Sequence, residues 1–458
     1  SNEAIFALTG IMKMIGEVDQ PPTIPRGFHP QILGGLSAFN GALSFLIAKA
    51  EDSKREIKTS NFRIDASIFE ANMYLTELGA LTCYNNVPEL GRMGINRFFP
   101  TYPLGIWPCK NGWLGVTVLS PAQWHAFCEL LGLQDLAAIE RYGSSAKRLE
   151  DVDIIEPRIL EALTNHCAED LFYKGQKMRI PLARVPTMAE VFDVDQYIHR
   201  KAFSTITDGE FSFKAPSQPV RLFDTPPKFG GTVAELGAHT SDWISLKSHE
   251  LRNKEDTSIK PSELPLNGLT IIDLGMGWAG PLAARNLADL GATVIKVEGC
   301  VRFDWFRNWE ASQEWIDDDG AEKAINFIYV NRNKLDVTLD FEQQAGRELL
   351  LKLIGEADAV IENYSGGVLP KLKLEYESLK KVNPELVMVS MPAFGSTGPW
   401  SAFRAYGSTV EQAAGLPHLQ GSEDQPPTML HVAFGDAIAG LYGSSALLTA
   451  LFLSLIHI

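Results

Sequence analysis

The sequence predicts an α/β protein, with a Rossmann-like parallel-sheet domain joined to a smaller α/β domain. Three observations carry this expectation. Residues 269–298 read LTIIDLGMGWAGPLAARNLADLGATVIKVE, which is a strand, a glycine turn, a helix and a second strand. A stretch near the N-terminus recurs near the C-terminus, at a separation that means a duplicated domain and not a short solenoid repeat. Between the two copies, residues 249–266 read HELRNKEDTSIKPSELPL, charged and proline-bearing without apolar periodicity, which is linker composition.

The bulk numbers bound the rest. A chain of 458 residues is long enough for two or three domains. Its 45% hydrophobic and 21% charged residues are ordinary for a globular protein. The net charge of -15 argues against nucleic acid or an anionic membrane surface as partner, because both want a basic face. A polyanionic ligand would instead need locally placed cations. Cys83, Cys109, Cys128, Cys167 and Cys300 are odd in number and widely spaced, without a CxxC pair. That pattern fits a reducing compartment and no structural zinc. With no signal peptide at the start, the expected location is cytoplasmic. The opening SNEAIFALTG lacks a methionine and reads as an internal cut, and the closing LFLSLIHI reads as a stop within a helix.

From Ala437 to Ile458 there is no Lys, Arg, Asp or Glu, and the length would span a bilayer. Gly440, Gly443, Ser444, Ser445 and Thr449 interrupt the run, and its earlier counterpart, LSAFNGALSFLIA at 36–48, leads straight into KAEDSKRE. Both are expected to be buried helices.

The repeat can be followed residue by residue. Residues 10–23, GIMKMIGEVDQPPT, match 415–428, GLPHLQGSEDQPPT, at Gly10, Gly16, Asp19 and all of QPPT. After a three-residue difference, His29 pairs with His431, Gly34 with Asp436 and Gly41 with Gly443. Residues 1–248 therefore read as the later part of a first unit, with a helical segment at 36–84 and a mixed α/β region at about 100–220. Residues 267–458 read as the early part of a second unit, with further strands at ADAVIENY (357–364) and ELVMVSM (385–391). The histidines recur in both copies, which favours a structural role, and no metal cluster is evident.

Gly275, Gly277 and Gly280 spell GxGxxG, with Glu298 where a dinucleotide fold places its ribose-binding acid. Taken alone, the motif supports an NAD-dependent oxidoreductase. A glycine turn at a helix N-terminus also serves any phosphate, and it can be a plain tight turn. No constellation suited to hydride transfer follows it in the sequence.

Longer agreement is carried by LNGLTIIDLGMGWAGPLAARNLADLGATVIKVE, by VNRNKLDVTLDFEQQAGRELLLKLIGEADAVIENYSGG, by GLPHLQGSEDQPPT and by FGDAIAGLYGSSALLTAL. These stretches closely resemble the class III CoA-transferases of the formyl-CoA/carnitine type. RFFPTYPLGIWPCKNGWLGVTV and PPKFGGTVAELGAHTSDWI resemble that family's second half. The resemblance implies parts of two tandem CoA-transferase units and an enzyme acting on acyl-CoA and a small-molecule carboxylate. The units would wind together or form a homodimer. The tandem form also resembles family members that act on dimethylsulfoniopropionate and release dimethyl sulfide.

The resemblance places a catalytic aspartate at Asp436, with coenzyme A as co-substrate and no metal. The first unit carries Gly34 there and is expected to be silent. Read from the residues alone, a GD before an apolar run is also an ordinary N-cap. Gly277, Trp278, Ala279, Leu339, Asn363, Tyr364, Lys371, Arg404 and Tyr406 match the family's CoA-contact positions. Trp278 stands where the family often has glutamine, Gly299 where some members have a basic residue, and Glu342 at another basic contact position. Trp305, Trp309 and Trp315 cluster in VRFDWFRNWEASQEW and offer aromatic faces for a sulfonium, or else are core residues.

Overall fold

The computed structural model describes residues 1–54, 63–76, 91–228, 234–241, 264–299, 303–308, 313–421 and 425–457. Trp309, Cys83, Cys300 and most of the 249–266 linker lie outside the described residues.

Among the described residues, ten strands form three sheets. β6 (Thr270–Asp273), β7 (Thr293–Glu298), β8 (Lys334–Thr338), β9 (Ala359–Glu362) and β10 (Val387–Ser390) make a five-stranded sheet in the order β10-β9-β6-β7-β8. Every neighbouring pair in it is parallel. The first strand of the set is central and the order reverses at it, which is the doubly wound arrangement with its switch point between β6 and β9. Before the buried acids Asp273 and Glu362 that end them, β6 and β9 are largely β-branched and buried, as a covered parallel sheet requires.

β1 (Leu104–Pro108), β2 (Trp113–Thr117) and β3 (Leu182–Arg184) form an antiparallel sheet. Helices Pro121–Leu131, Val152–Thr164 and Ala168–Lys177 pack on it. β4 (Phe203–Asp208) and β5 (Phe211–Pro216) form a separate hairpin. The expected mixed region is therefore present, and later residues close its core. The Trp400 ring lies edge-on to Phe172 at 4.9 Å, and Gln196 donates to the carbonyls of Phe394 (2.7 Å) and Thr397 (2.9 Å).

Within the expected helical segment at 36–84, the described residues hold a long helix, His29–Lys54, non-helical chain at 63–67 and a short helix, Ile68–Asn72, while 77–84 lie outside them. The long helix starts earlier than expected, at His29, with Pro30 in its first turn, where proline is tolerated. It lies alongside its counterpart, Phe434–His457, in parallel. The His29 ring meets Phe434 at 4.5 Å, Asn40 donates to Leu441 O (3.4 Å) and accepts from Ser445 Oγ (2.6 Å), and Ile47 shares a core with Leu447 and Leu451. The two copies' helices therefore run side by side nearly in register. Both helices are long and apolar enough to cross a membrane by length and composition. Helix Phe434–His457 also packs on helix Ala279–Asp289, where a Cβ on Gly440 would lie 2.6 Å from Leu282 Cδ2. Only glycine permits that approach.

Candidate active site

Asp436 lies in the first turn of helix Phe434–His457, where a carboxylate is favoured by the unpaired N–H groups and the helix dipole. A second helix, Gly407–Ala413, begins against it. The Gly407 N–H donates to Asp436 Oδ2 at 2.9 Å. The approach is as close as backbone allows: a Cβ on Gly407 would sit 2.3 Å from Oδ2, and one on Gly435 would sit 2.4 Å from Gly407 O. Asp436 is half-buried. Burial pushes its carboxyl up to about 6, against the Gly407 N–H that favours the anion.

The chain reaches Asp436 through an unusual turn. His431 (φ 59°) and Ala433 (φ 44°) both adopt left-handed backbone, uncommon for non-glycine residues, and the Asp436 N–H closes the turn on Ala433 O at 3.0 Å. Such conformations persist only where their surroundings hold them, and they cluster at functional sites. One holding contact is Glu411 Oε1, which accepts from Leu430 N–H at 2.7 Å.

The N-terminal half supplies the floor. Gln123 donates to the Tyr406 hydroxyl at 3.0 Å, Thr117 and Ser408 hydroxyls share a 3.0 Å bond, and Gln412 donates to Gly105 O at 3.0 Å. Burial raises the Tyr406 phenol. On the other side, the Trp305 ring meets Tyr406 edge-on at 6.0 Å and covers Gly277, where a Cβ would lie 2.4 Å from the indole. Gly277, Trp305, Tyr406 and Asp436 are thus brought into one run of contacts.

The other positions scatter more widely. Trp278 and Ala279 are buried at the start of helix Ala279–Asp289, and the Trp278 indole N–H has no hydrogen-bond partner. Asn363 and Tyr364 follow β9 and Leu339 follows β8, and Leu339 and Tyr364 each pack against the same buried cluster. Lys371 is exposed on helix Val368–Leu372, and Arg404 is exposed two residues before Tyr406. Trp315 sits on a different helix, Gln313–Asp317, packed over Gly320. These contacts do not join Trp315 to the Tyr406–Asp436 pair.

The glycine turn corrects the dinucleotide reading. Gly275 N–H donates to Asp273 (2.8 Å), Met276 N–H to Asn363 (2.8 Å) and Gly277 N–H to Asp304 (2.9 Å). Three donors that would cradle a pyrophosphate are spent on side chains. Glu298 accepts from Asp304 N–H (2.7 Å) and Arg307 Nε (2.9 Å), so it is not available to a ribose. Beneath the turn, the Lys296 ammonium is buried between Gly275 O and Asp304 Oδ2, which ties the network together. Apart from neighbouring Asp273, the carboxylate and amide that lock the turn come from 27 and 87 residues away, at Asp304 and Asn363. Sequence spacing carries no sign of that.

At the equivalent position of the first copy, a Cβ on Gly34 would lie 2.8 Å from Ile68 Cγ1, so a side chain already fills that space. His29 and His431 are both held neutral by burial, at about 4. Among the described residues, no group of three or more His, Cys, Asp or Glu could hold a metal ion. Sequence reasoning missed Glu411, although one signal was present. Histidine aside, it is the only residue with a side chain charged at neutral pH between Arg404 and Glu423, the same isolation that marked Asp436.

A family model described as CoA-transferase family III matches residues 2–240 and 266–454. A probable CoA-transferase of Mycobacterium tuberculosis is 29% identical over 98% of this chain and 56% of its own length. A succinate–glutarate CoA-transferase of Agrobacterium fabrum is 37% identical over 41% of this chain and 47% of its own. The crystal structure of a CAIB/BAIF family protein from Brucella suis is 38% identical, covers 42% of this chain and 50% of that one, and has a TM-score of 0.37. The chain spans about half the length of the curated relatives it matches.

Proposed function

Because the chain belongs to CoA-transferase family III, we propose that it transfers coenzyme A from an acyl-CoA to a free carboxylate, with Asp436 as the nucleophile. The observation that carries this reading is the Asp436–Gly407 bond. It fixes one carboxylate oxygen at the end of a left-handed turn, between two helix N-termini, and leaves the other to attack.

The chemistry balances without a metal or redox partner. The Asp436 carboxylate attacks the thioester carbonyl and expels CoA thiolate, giving an aspartyl acyl anhydride. The thiolate attacks the aspartyl carbonyl, releases the first carboxylate and leaves an aspartyl-CoA thioester. The acceptor carboxylate attacks that thioester, giving a second anhydride and thiolate. The thiolate then attacks the acyl carbonyl, forming the new acyl-CoA and restoring Asp436. Backbone N–H donors such as Gly407 stabilise the oxyanions that form on the way. Exposed Lys371 and Arg404 would meet the CoA phosphates. Gly277, Trp278, Ala279, Leu339, Asn363 and Tyr364 would supply the walls around the adenine and pantetheine arm. The Gly277 N–H is committed to Asp304, so its part is close backbone approach.

The acceptor has two readings. A dicarboxylic acid is supported by the reaction named for the Agrobacterium relative. Dimethylsulfoniopropionate, with later release of dimethyl sulfide, is supported by the Trp305–Tyr406 pair beside Asp436, an aromatic wall suited to a sulfonium. Thioester formation acidifies the substrate's α-proton, so a base could then expel the sulfide. The first unit is read as carrying no chemistry. Turnover of acetyl-CoA and succinyl-CoA with glutarate, malate, citramalate and dimethylsulfoniopropionate tests the proposal. Transfer to none of them by the full-length protein would sink it.

A further inference from the structure

We propose that Glu411 is a positioning residue for Asp436: through its bond to the Leu430 N–H, it holds the left-handed turn that delivers the carboxylate to Gly407. This rests on the reading of Asp436 as nucleophile.

Four contacts close a circuit. Glu411 and Gly407 share one helix, a single turn apart. Glu411 Oε1 accepts from Leu430 N–H at 2.7 Å, at the entrance to the turn. His431 and Ala433 take left-handed backbone, and Asp436 N–H bonds Ala433 O at 3.0 Å. Gly407 N–H then grips Asp436 Oδ2 at 2.9 Å. One helix therefore fixes both ends of the segment, and the strained residues lie between its two grips. Without the first grip, His431 and Ala433 would relax toward ordinary backbone, because left-handed geometry costs free energy at non-glycine residues.

The side chain's own situation requires an explanation of this kind. Glu411 is 2% exposed, and its second oxygen, Oε2, is buried with no hydrogen-bond partner. A buried acid that makes one bond is unfavourable to stability, and each such group calls for a reason. Burial lifts its carboxyl to about 7, yet Oε1 can accept from Leu430 whether or not Oε2 carries the proton. The grip is therefore available in both protonation states. The side chain touches neither Asp436 nor the space in front of it in any contact described above, so its effect must pass through the turn.

Three variants of the full chain test this. Glu411→Gln keeps an acceptor at the same reach, Glu411→Asp keeps the acid but is one methylene short, and Glu411→Leu removes the bond. The readouts are kcat and KM for acyl transfer, with amide hydrogen exchange over the peptide 428–440. The Gln variant should keep kcat within about threefold. The Asp and Leu variants should lose about ten- to a hundredfold in kcat, the scale of a misplaced reacting group, with the acyl-CoA KM unchanged and faster exchange in the turn. A loss carried by KM, or a Leu variant with native kcat, would overturn the proposal. Should the Leu variant not fold, the Gln–Asp comparison decides it, and a Gln variant no better than Asp is fatal. If Asp436→Ala still transfers CoA, the nucleophile reading fails instead, while the exchange data still report whether Glu411 holds the turn.

Discussion

Gly407 and Asp436 are in contact at the limit of what backbone permits: the N–H of one donates to the carboxylate of the other at 2.9 Å, and the space a methyl group would need is already filled by Asp436 Oδ2 and N. A hydrogen bond to a carboxylate this short both orients the group and holds part of its charge.

The first prediction follows from that contact. Gly407→Ala places a Cβ 2.3 Å from Oδ2 and 2.6 Å from the Asp436 backbone nitrogen. The two helix ends must separate. Transfer should fall by about a hundredfold or more, since displacements near 1 Å cost that much, and stability by about 1–3 kcal/mol, the usual range for overpacking. Steady-state kinetics and thermal melts read both. A variant with native kcat would refute the assigned geometry.

Asp436 itself gives the second. Asp436→Ala and Asp436→Asn should abolish transfer while the fold persists, and hydroxylamine trapping should find an adduct on the Asp436 peptide of the native protein only. The carboxyl sits at about 6 in the fold against an ordinary 3.8. Transfer should therefore rise with pH through about 6, as the nucleophilic anion forms. Stability runs the other way. A raised carboxyl contributes most when protonated, below about pH 4, and that contribution is lost as pH rises through about 6. Asp436→Asn should melt a few degrees above the native protein at pH 8, with the gap closing by pH 4. Equal melting at both pH values would contradict the burial of this charge.

The third concerns the first copy. Gly34→Asp should yield no second adduct, and trapping stoichiometry should stay at one per chain. The new side chain meets Ile68 at Cγ1, Cα and Cβ, the nearest at 2.8 Å. A destabilised protein with unchanged stoichiometry is the expected result. Doubled stoichiometry would show that the site had been restored.

The fourth bears on the acceptor. Trp305→Ala should raise KM for dimethylsulfoniopropionate by about two- to thirtyfold, the equivalent of a cation–π contact of about 0.5–2 kcal/mol. KM for a dicarboxylate should move far less. Equal effects on both acceptors would remove the sulfonium reading of the Trp305–Tyr406 pair. Production of dimethyl sulfide without any acyl-CoA would rule out a coupled lyase.

Much of the sheet was legible because strands such as LTIID and ADAVIE announce themselves through local apolar runs bounded by turns. The isolation of Asp436 among small and apolar residues was legible for the same reason. The use of the glycine turn was not. Its motif is local, while the groups that saturate it, Asp304 and Asn363, arrive through tertiary structure. Gln123 reaches Tyr406 across 283 residues, and Gln412 reaches Gly105 across 307, so no window of sequence could pair them. The 36–84 segment was read as helical without internal boundaries, because sequence pattern does not report where one helix stops and the next begins.

Ile68 filling the space in front of Gly34 also bears on history. Placing a carboxylate at the first copy's position takes at least two coordinated changes, a smaller residue at 68 and an acid at 34. Either alone is disfavoured: the acid collides with the isoleucine, and the smaller residue opens a gap that nothing fills. Such mutual dependence acts as an evolutionary ratchet. For the first copy, read above as silent, no single substitution at 34 or 68 therefore places a carboxylate there without a clash or a gap.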